Sequence, residues 1–453
     1  MGFRITTNMM MNSYRYNLQN STNKLANARD KVLTQRNFNS YAEDPAAATL
    51  AFRLRRNYCE ASNQLSSTKD TYGKFNTAWH NLQGIIKDLG NANSKMASIQ
   101  GPNGTAGESR IALAQVLRET GNSVIQAMNQ KLGDHFVFGG NDALNVPFEW
   151  DDSGEYLTYR GVNVNAGAVQ NPKTAQTPIQ EPTWLNDAKT AAGTNWTDTD
   201  QAWYDYYSGV PDAPAPDADT RPQWAKEMLE KTAADVDEKA WLNYYKDRDD
   251  VTRLNKMKDE KMYLDMGMGM AEHAPNQPVN GTYFNSALAG INFVGYGVDE
   301  DGDPKNFALI MKDLANVFDG WRESGQMYLP EQYRDMTAEQ LEGAMKNDDV
   351  KKEIEDYNAE QEAKAFRLMD KLKKAQESLT ESHVALDAQS SYLQTNQELL
   401  STQMTDLNVQ ILDIEQVDLA DAITSFSWEQ YCYNSALKIG NQLLSQSLID
   451  YMR

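Results

Sequence analysis

Residues 386–414 read LDAQSSYLQTNQELLSTQMTDLNVQILDI, and the spacing of their apolar side chains decides the fold. Five apolar residues in this stretch recur seven positions apart: Leu386, Leu393, Leu400, Leu407 and Ile414. A seven-residue apolar repeat is typical of a long helix that buries one face against another helix. No glycine or proline occurs from Ala344 to Ile439, so no residue there interrupts the hydrogen bonds of a helix.

The N-terminal part of the chain carries matching repeats. One row begins at Tyr58 and continues with Leu65, Tyr72, Trp79 and Ile86. A second row, interrupted at Thr68, consists of Leu54, Ala61, Phe75, Leu82, Leu89 and Met96. A third row lies nearer the N-terminus: Met11, Leu18, Leu25 and Val32. We predict a short helix followed by a long one that begins at Asp44-Pro45, because an aspartate oxygen caps a helix and proline suits its first turn.

The C-terminal end mirrors this order. The long helix is followed, after a second predicted cap at Asp418, by a short helix with these candidate interface residues: Leu419, Ile423, Phe426, Tyr433, Leu437, Leu444 and Leu448. Trp428 and Tyr431 place apolar groups on other sides of this helix, which favours more than one partner. Antiparallel pairing of long with long and short with short buries all the repeats. An ordinary four-helix domain with no assembly role would show the same repeats.

The middle of the chain differs in composition from its ends. Twelve of the fourteen prolines and seven of the nine tryptophans lie between Asn141 and Gly343. We therefore expect a mainly α protein, with a long antiparallel coiled-coil-like bundle formed by both termini and an inserted central domain rich in strands and loops. The expected divisions are a terminal assembly segment, the long bundle and an outward-facing insertion: 1–44 with 418–453, 45–135 with 345–417, and 136–344. Phe148–Trp150 and Tyr156–Tyr159 predict a hairpin within the insertion.

Charge and hydropathy exclude several classes of partner. The net charge of -21 and the pI near 4.7 predict repulsion from nucleic acid and from anionic membranes. No stretch is long and apolar enough for a membrane helix, and Met1–Arg15 lacks the pattern of a cleaved signal peptide. Whether Cys59 and Cys432 pair is left open by the sequence.

Motifs for chemistry are not found. The four histidines lack ligand spacing: His80, His135, His273 and His383. The acidic stretch Asp299–Asp303 does not have the spacing of a calcium loop, so we interpret it as a surface turn. We therefore predict no catalytic, cofactor-binding or metal site. The many central aromatic residues predict a small core, with a carbohydrate-binding surface as the alternative.

Several motifs resemble those of the flagellin superfamily, and more narrowly the hook-associated protein type 3 group. The motifs are Phe3–Thr6, Asp44–Ala48 with Leu54-Arg55, Gly133–Gly140, Asp418–Ile423 and Ser447–Tyr451. The resemblance covers about residues 1–165 and 345–453, and residues 171–280 match no family that we can name.

The resemblance implies a structural subunit, not an enzyme, that joins hook to filament in the bacterial flagellum. It implies export through the flagellar type III apparatus, without a cleaved signal, to an extracellular position. The implied partners are further copies in a ring, a junction protein toward the hook, flagellin toward the filament and an export chaperone on the final helix. Two alternatives remain: a filament flagellin with a large insertion, and an enzyme, adhesin or glycan-binding insertion anchored by the helices.

Overall fold

The computed structural model describes residues 7–97, 107–151, 154–175, 177–210, 213–233, 235–267, 269–274, 277–279, 281–322 and 326–451. Helices account for 67% of the chain, which confirms the prediction of a mainly α protein. The opening motif Phe3–Thr6 lies outside the described residues.

Five long helices come from the two ends of the chain. They are α1 (Thr7–Thr34), α2 (Pro45–Ala97), α3 (Gly107–Met128), α11 (Asp348–Glu415) and α12 (Leu419–Tyr451). Both predicted caps are confirmed, since Asp44 Oδ1 accepts from Ala47 N at 2.9 Å and Asp418 Oδ1 accepts from Ala420 N at 2.8 Å. The helices α2 and α12 therefore each begin directly after an aspartate whose side-chain oxygen caps the first turn.

The chain forms two compact units, and their boundaries lie inside helices. The first unit is Met1–Ser67 with Thr395–Arg453, and the second is Thr68–Gln394. The expected divisions at 44/45 and 417/418 coincide with helix breaks, but the compact units divide within α2 and α11. Residues 136–344 likewise belong to the second unit together with parts of both long helices, because they share one apolar core with them.

In the second unit, α2 and α11 pack side by side in antiparallel order. Trp79 stacks on His383 with ring centroids 4.8 Å apart, whereas Asn93, further along α2, bonds to the earlier residue Gln376 of α11. The deeper row of α2 is the second one, with Thr68, Phe75, Leu82, Leu89 and Met96 all buried. Tyr72, Trp79 and Ile86 of the first row are half-buried and flank it.

The same core includes a helix that the sequence reading missed. This is α9 (Phe307–Asp319), which packs closely against α3 and buries most of its side chains. Asn306 begins it by accepting from the N–H groups of Ala308 and Leu309. Two small antiparallel sheets also cover this core. The first pairs β1 (Lys131–Leu132) with β2 (His135–Phe136). The second has the strand order β3 (Phe148–Trp150), β4 (Leu157–Tyr159) and β5 (Val162–Asn163). The pairing of β3 with β4 confirms the predicted hairpin.

The expectation of a strand-rich insertion is wrong for residues 184–258, which are mainly helical. The helices are α4 (Trp184–Ala192), α5 (Asp198–Tyr207), α6 (Gln223–Leu229) and α7 (Val236–Lys258). We call this segment the helical module. Its core consists largely of aromatic side chains: Leu185, Trp203, Tyr206, Tyr207, Ala225, Met228, Trp241, Tyr244 and Tyr245. The prolines and aromatic residues of this segment suggested strands. In the structure the prolines lie in the segments between short helices, and the aromatic residues fill the core, because large rings supply much buried area per residue.

The remaining elements of the second unit are short. They are β6 (Tyr263–Leu264), β7 (Glu272–Ala274), β8 (Gln277–Pro278), β9 (Phe284–Asn285), α8 (Ile291–Val294), β10 (Trp321–Arg322), β11 (Met327–Tyr328) and α10 (Ala338–Ala344). The strands pair antiparallel as β6 with β9, β7 with β8, and β10 with β11.

The Gly133–Gly140 motif has a structural explanation. Gly140 has a φ of +65°, and a Cβ there would collide with Oε2 of Glu260. That carboxylate bonds to the guanidinium of Arg160 at 2.8 Å and accepts from Asn141 N at 2.8 Å. Glycine is therefore required so that the half-buried ion pair can approach the backbone.

Lys74 of α2 is a largely buried cation in the second unit. Its Nζ donates to the carbonyl oxygen of Ser286 at 3.0 Å, and burial lowers its pKa from 10.5 to about 8. Between these two pH values the unfolded chain binds the proton more tightly than the folded protein. The folded state therefore gains stability as pH rises through this window, and below about pH 8 the full cost of the buried charge is present.

We expect Lys74→Met to raise the free energy of unfolding at pH 7 by about 1–3 kcal/mol, because it removes that buried charge. Urea unfolding at pH 7 and pH 10 measures the effect, and the gain should be smaller at pH 10. Lys87→Met, an exposed position on the same helix, is the matched control and should change little. Destabilisation by Lys74→Met at both pH values would contradict the charge argument.

Candidate assembly surface

The two helix breaks of the first unit are joined to each other. Asn37 N donates to the carbonyl oxygen of Glu415 at 2.8 Å, and Val417 N donates to that of Gln35 at 3.1 Å. The Asn37 side chain adds bonds to the carbonyl oxygens of Ile414 and Gln416. Arg55 forms an ion pair with Glu415 beside this junction. The carbonyls at the end of α11 thus find partners, and the following chain is directed into α12.

The helices α1 and α12 pack closely along their length. The predicted row of α1 faces this contact, and Met11, Leu18, Leu25 and Val32 are each half-buried. In the described part of α12, Cys432 and Ser435 are half-buried, and the other residues withdrawn from solvent follow a seven-residue repeat: Ala422, Phe426, Glu429, Tyr433, Ala436 and Gly440. Three of these are small residues, which allow two helix backbones to approach closely.

Tyr14 shows how tight this contact is. A Cβ at Gly440 would collide with the hydroxyl and ring of Tyr14, so only glycine leaves room for that side chain. Tyr14 itself is half-buried and follows Met11 by three residues, on the same face of α1.

The predicted interface residues of α12 divide into two groups. Phe426 and Tyr433 are half-buried against α1, whereas Leu419, Ile423 and Leu437 remain 41–48% exposed. At about 100° per residue, Leu419 and Leu437 lie about 60° and Ile423 about 100° to one side of the centre of the contact with α1. Ile439 and Trp428 lie about 100–120° to the other side, and Tyr431 is opposite the contact. Trp428 and Tyr431 are stacked with centroids 6.1 Å apart, although both are about two-thirds exposed. Leu444 and Leu448 lie in the helix, but their side chains are outside the described part.

The predicted residues on the long helices are placed more uniformly. Leu386, Leu393, Leu400 and Leu407 are buried, while Leu65 and Ile414 are half-buried. In the first unit, the apolar contact of α2 with α11 consists of Leu54, Ala61, Leu407 and Ile411, with Tyr58, Met404 and Ile414 at its edge.

More than half of the exposed large apolar side chains, 16 of 30 among the described residues, belong to the first unit. Only seven apolar residues in the described part of that unit are buried: Ala51, Leu54, Ala61, Leu400, Leu407, Ile411 and Ala422. The described part of the unit therefore exposes more large apolar side chains than it fully buries, which makes it a candidate surface for contact with other proteins.

The acidic turn is neutralised by the protein itself. Asp299, Asp301 and Asp303 bring carboxylate oxygens within 4.8 Å of one another, but Lys371 Nζ lies 2.5–2.9 Å from all three. Arg367 also pairs with Asp303 at 2.6 Å. Burial favours the neutral acid, but the bonds from these cations prevail and lower the pKa of Asp299 and Asp303. The ammonium group thus supplies the positive charge that the turn requires.

The other residues considered for chemistry are dispersed. His80 and His135 are exposed, His383 stacks on Trp79, and the side chain of His273 lies outside the described part. Cys59 and Cys432 are both free thiols, the first exposed and the second half-buried.

No protein-family model matches the sequence, and a search of the curated proteins finds no match for it. The resemblance to flagellar proteins therefore depends on the sequence motifs alone. Among the described helices, none has the length and apolar character needed to cross a bilayer.

We expect Gly440→Ala to push Tyr14 out of the contact and loosen α1 from α12. Hydrogen exchange measured by mass spectrometry should then become at least about tenfold faster in peptides from both helices, which corresponds to about 1.4 kcal/mol of local stability. Gly84→Ala, at a helical position where a Cβ meets no atom within 4 Å, is the control and should leave exchange unchanged or slower. Unchanged exchange in Gly440→Ala would show that the two helices do not depend on this contact.

Proposed function

We propose that this chain is a structural assembly subunit that joins hook to filament in the bacterial flagellum. In this proposal, α1 and α12 pack against neighbouring copies in a ring, a junction protein binds on the hook side and flagellin binds on the filament side. An export chaperone covers α12 before the chain is exported through the type III apparatus. The long helices act as an antiparallel coiled coil, and the central region is an outward-facing insertion.

The single observation that carries this proposal is the uncovered apolar surface of the first unit. Burying one exposed leucine is worth about 1.5–3 kcal/mol, and α12 alone presents six large apolar side chains to solvent in its described part. These side chains lie on two sides of the helix, so one further helix cannot cover them all. Packing among several copies would cover both sides.

Charge also favours contact between copies. The helix α1 carries four basic residues and one acidic residue, whereas α12 carries three acidic residues and one basic residue. Opposite charges on the two helices attract when α1 of one copy approaches α12 of another. This attraction acts locally even though the net charge of -21 keeps separate molecules apart.

Two motifs favour the junction role over a filament role. The C-terminal Ser447–Tyr451 and the Gly133–Gly140 turn resemble the junction proteins more than the filament flagellins. A filament flagellin with a large insertion shares the same helices, so location on the flagellum decides between the two.

The assembly role predicts that Leu437→Asp abolishes self-association and motility while leaving the second unit folded. A buried, unpaired carboxylate in the contact should weaken association at least about tenfold. Sedimentation velocity measures association, and swimming is scored in cells that carry only the variant. Val384→Asp, another exposed apolar position but on the second unit, is the matched control. Normal association and motility in Leu437→Asp would refute the proposed surface.

The junction role predicts a single location. Gold-labelled antibody against residues 171–280, imaged on intact flagella, should mark a short collar at the base of each filament. Label along the whole filament would identify a flagellin instead. Label absent from the flagella of cells that make the protein would contradict both flagellar assignments.

A further inference from the structure

A cleft of about 610 Å³ lies in the second unit between α7, α8 and the segment that follows α8. Six of the residues that line it matter for its chemistry: Arg248, Asn255, Lys258, Asn292, Tyr296 and Lys305. The volume lies within the range of about 300–1,000 Å³ that is usual for small-molecule sites.

The cleft is basic in an acidic protein. The chain has 64 acidic and 43 basic residues, yet the described lining carries three basic side chains and no acidic one. None of these three forms an ion pair with a described residue, in contrast to Arg160 with Glu260 or Lys371 with the acidic turn. Asp247, next to Arg248 in the sequence, instead accepts from Gly167 N and Val169 N. Lys258 and Lys305 are therefore available to an anion, whereas the guanidinium of Arg248 stacks 4.0 Å from the ring of Tyr206 and can offer only its remaining N–H groups.

Polar groups between these charges are partly free. Tyr296 donates its hydroxyl proton to Asn255 Oδ1 at 2.9 Å, which leaves the amide hydrogens of Asn255 to donate. Asn292 Nδ2 donates to the carbonyl oxygen of Lys258 at 3.0 Å, which leaves the Asn292 oxygen to accept. Arg248 donates through Nη2 to the carbonyl oxygen of Tyr206, and its buried Nε has no hydrogen-bond partner among the described residues.

We propose that this cleft binds an acidic saccharide, with its carboxylate held by Lys258, Lys305 and Arg248. Cationic side chains form their strongest hydrogen bonds with carboxylates, which accounts for the charge. The two asparagines supply a donor and an acceptor for sugar hydroxyl groups, and the half-buried ring of Tyr296 offers an apolar face for the C–H side of a sugar ring. This site is independent of the assembly surface, because all of its residues belong to the second unit.

The test uses isothermal titration calorimetry on the full chain with a disaccharide of galacturonic acid. We expect binding that is at least about tenfold tighter than for the uncharged galactose disaccharide of the same size. Binding should weaken as salt is raised from about 20 mM to about 200 mM, because ions screen exposed charges. Equal binding of the neutral disaccharide would overturn the proposal. So would inorganic phosphate that competes fully at equal concentration, since the site would then recognise charge alone.

Variants connect the binding to the cleft. The double variant Lys258→Gln and Lys305→Gln should bind the acidic disaccharide at least about tenfold more weakly. Both lysines are exposed, so the melting temperature should stay unchanged. Lys239→Gln, an exposed lysine at the other end of α7, is the matched control and should bind normally. Unaltered binding by the double variant, or no binding of the acidic disaccharide up to about 10 mM, would refute the site.

Discussion

The apolar repeat of α11 is the constraint on which the rest of the structure depends. Six of its leucines, all seven residues apart, are buried: Leu372, Leu379, Leu386, Leu393, Leu400 and Leu407. A helix of 68 residues obtains its stability mainly from packing such a face, because propensity alone contributes little. The face needs a partner of matching length and spacing, and α2 supplies one with its own buried row. A glycine or proline in this stretch, or a shift of register, would expose several leucines at once.

The two units differ in how completely other elements cover α2 and α11, and the proposed function depends on this difference. In the second unit, α3, α9 and the hairpins close around α2 and α11, so apolar residues such as Phe75 and Leu314 are fully buried. In the first unit only α1 and α12 are available, and the described part of α1 has no fully buried side chain. Trp428 and Tyr431 are about two-thirds exposed in the single chain, and the proposed assembly would cover them with other molecules.

Structural features that depend on a local sequence pattern could be predicted, whereas features that depend on packing between distant residues could not. The leucine repeats and the caps at Asp44 and Asp418 are visible because one element determines each of them. The helix α9 carries a readable helical pattern, since its polar residues Lys312, Asp313, Asn316 and Asp319 share one side, but it was missed because it lies in a region whose prolines favoured strands and loops. The exposure of Leu437 could not be predicted from the sequence either, because α12 has several apolar faces. The contact of Gly440 with Tyr14 shows which face packs against α1. The cleft residues lie at 166–167 and between 248 and 305, so only the fold brings them together.

The way the helical module is attached explains why the cleft has a defined shape. Asp247 is buried, which raises its pKa, although the N–H groups of Gly167 and Val169 offset part of that cost by bonding to its carboxylate. These bonds fix the segment after β5 against α7, and Gly167 is itself part of the cleft wall. Arg160 and Glu260 form a second polar link near the end of α7. Both links position α7 before any ligand arrives, so the backbone of the cleft wall is preformed and the main ordering cost of binding would fall on the exposed side chains of Lys258 and Lys305.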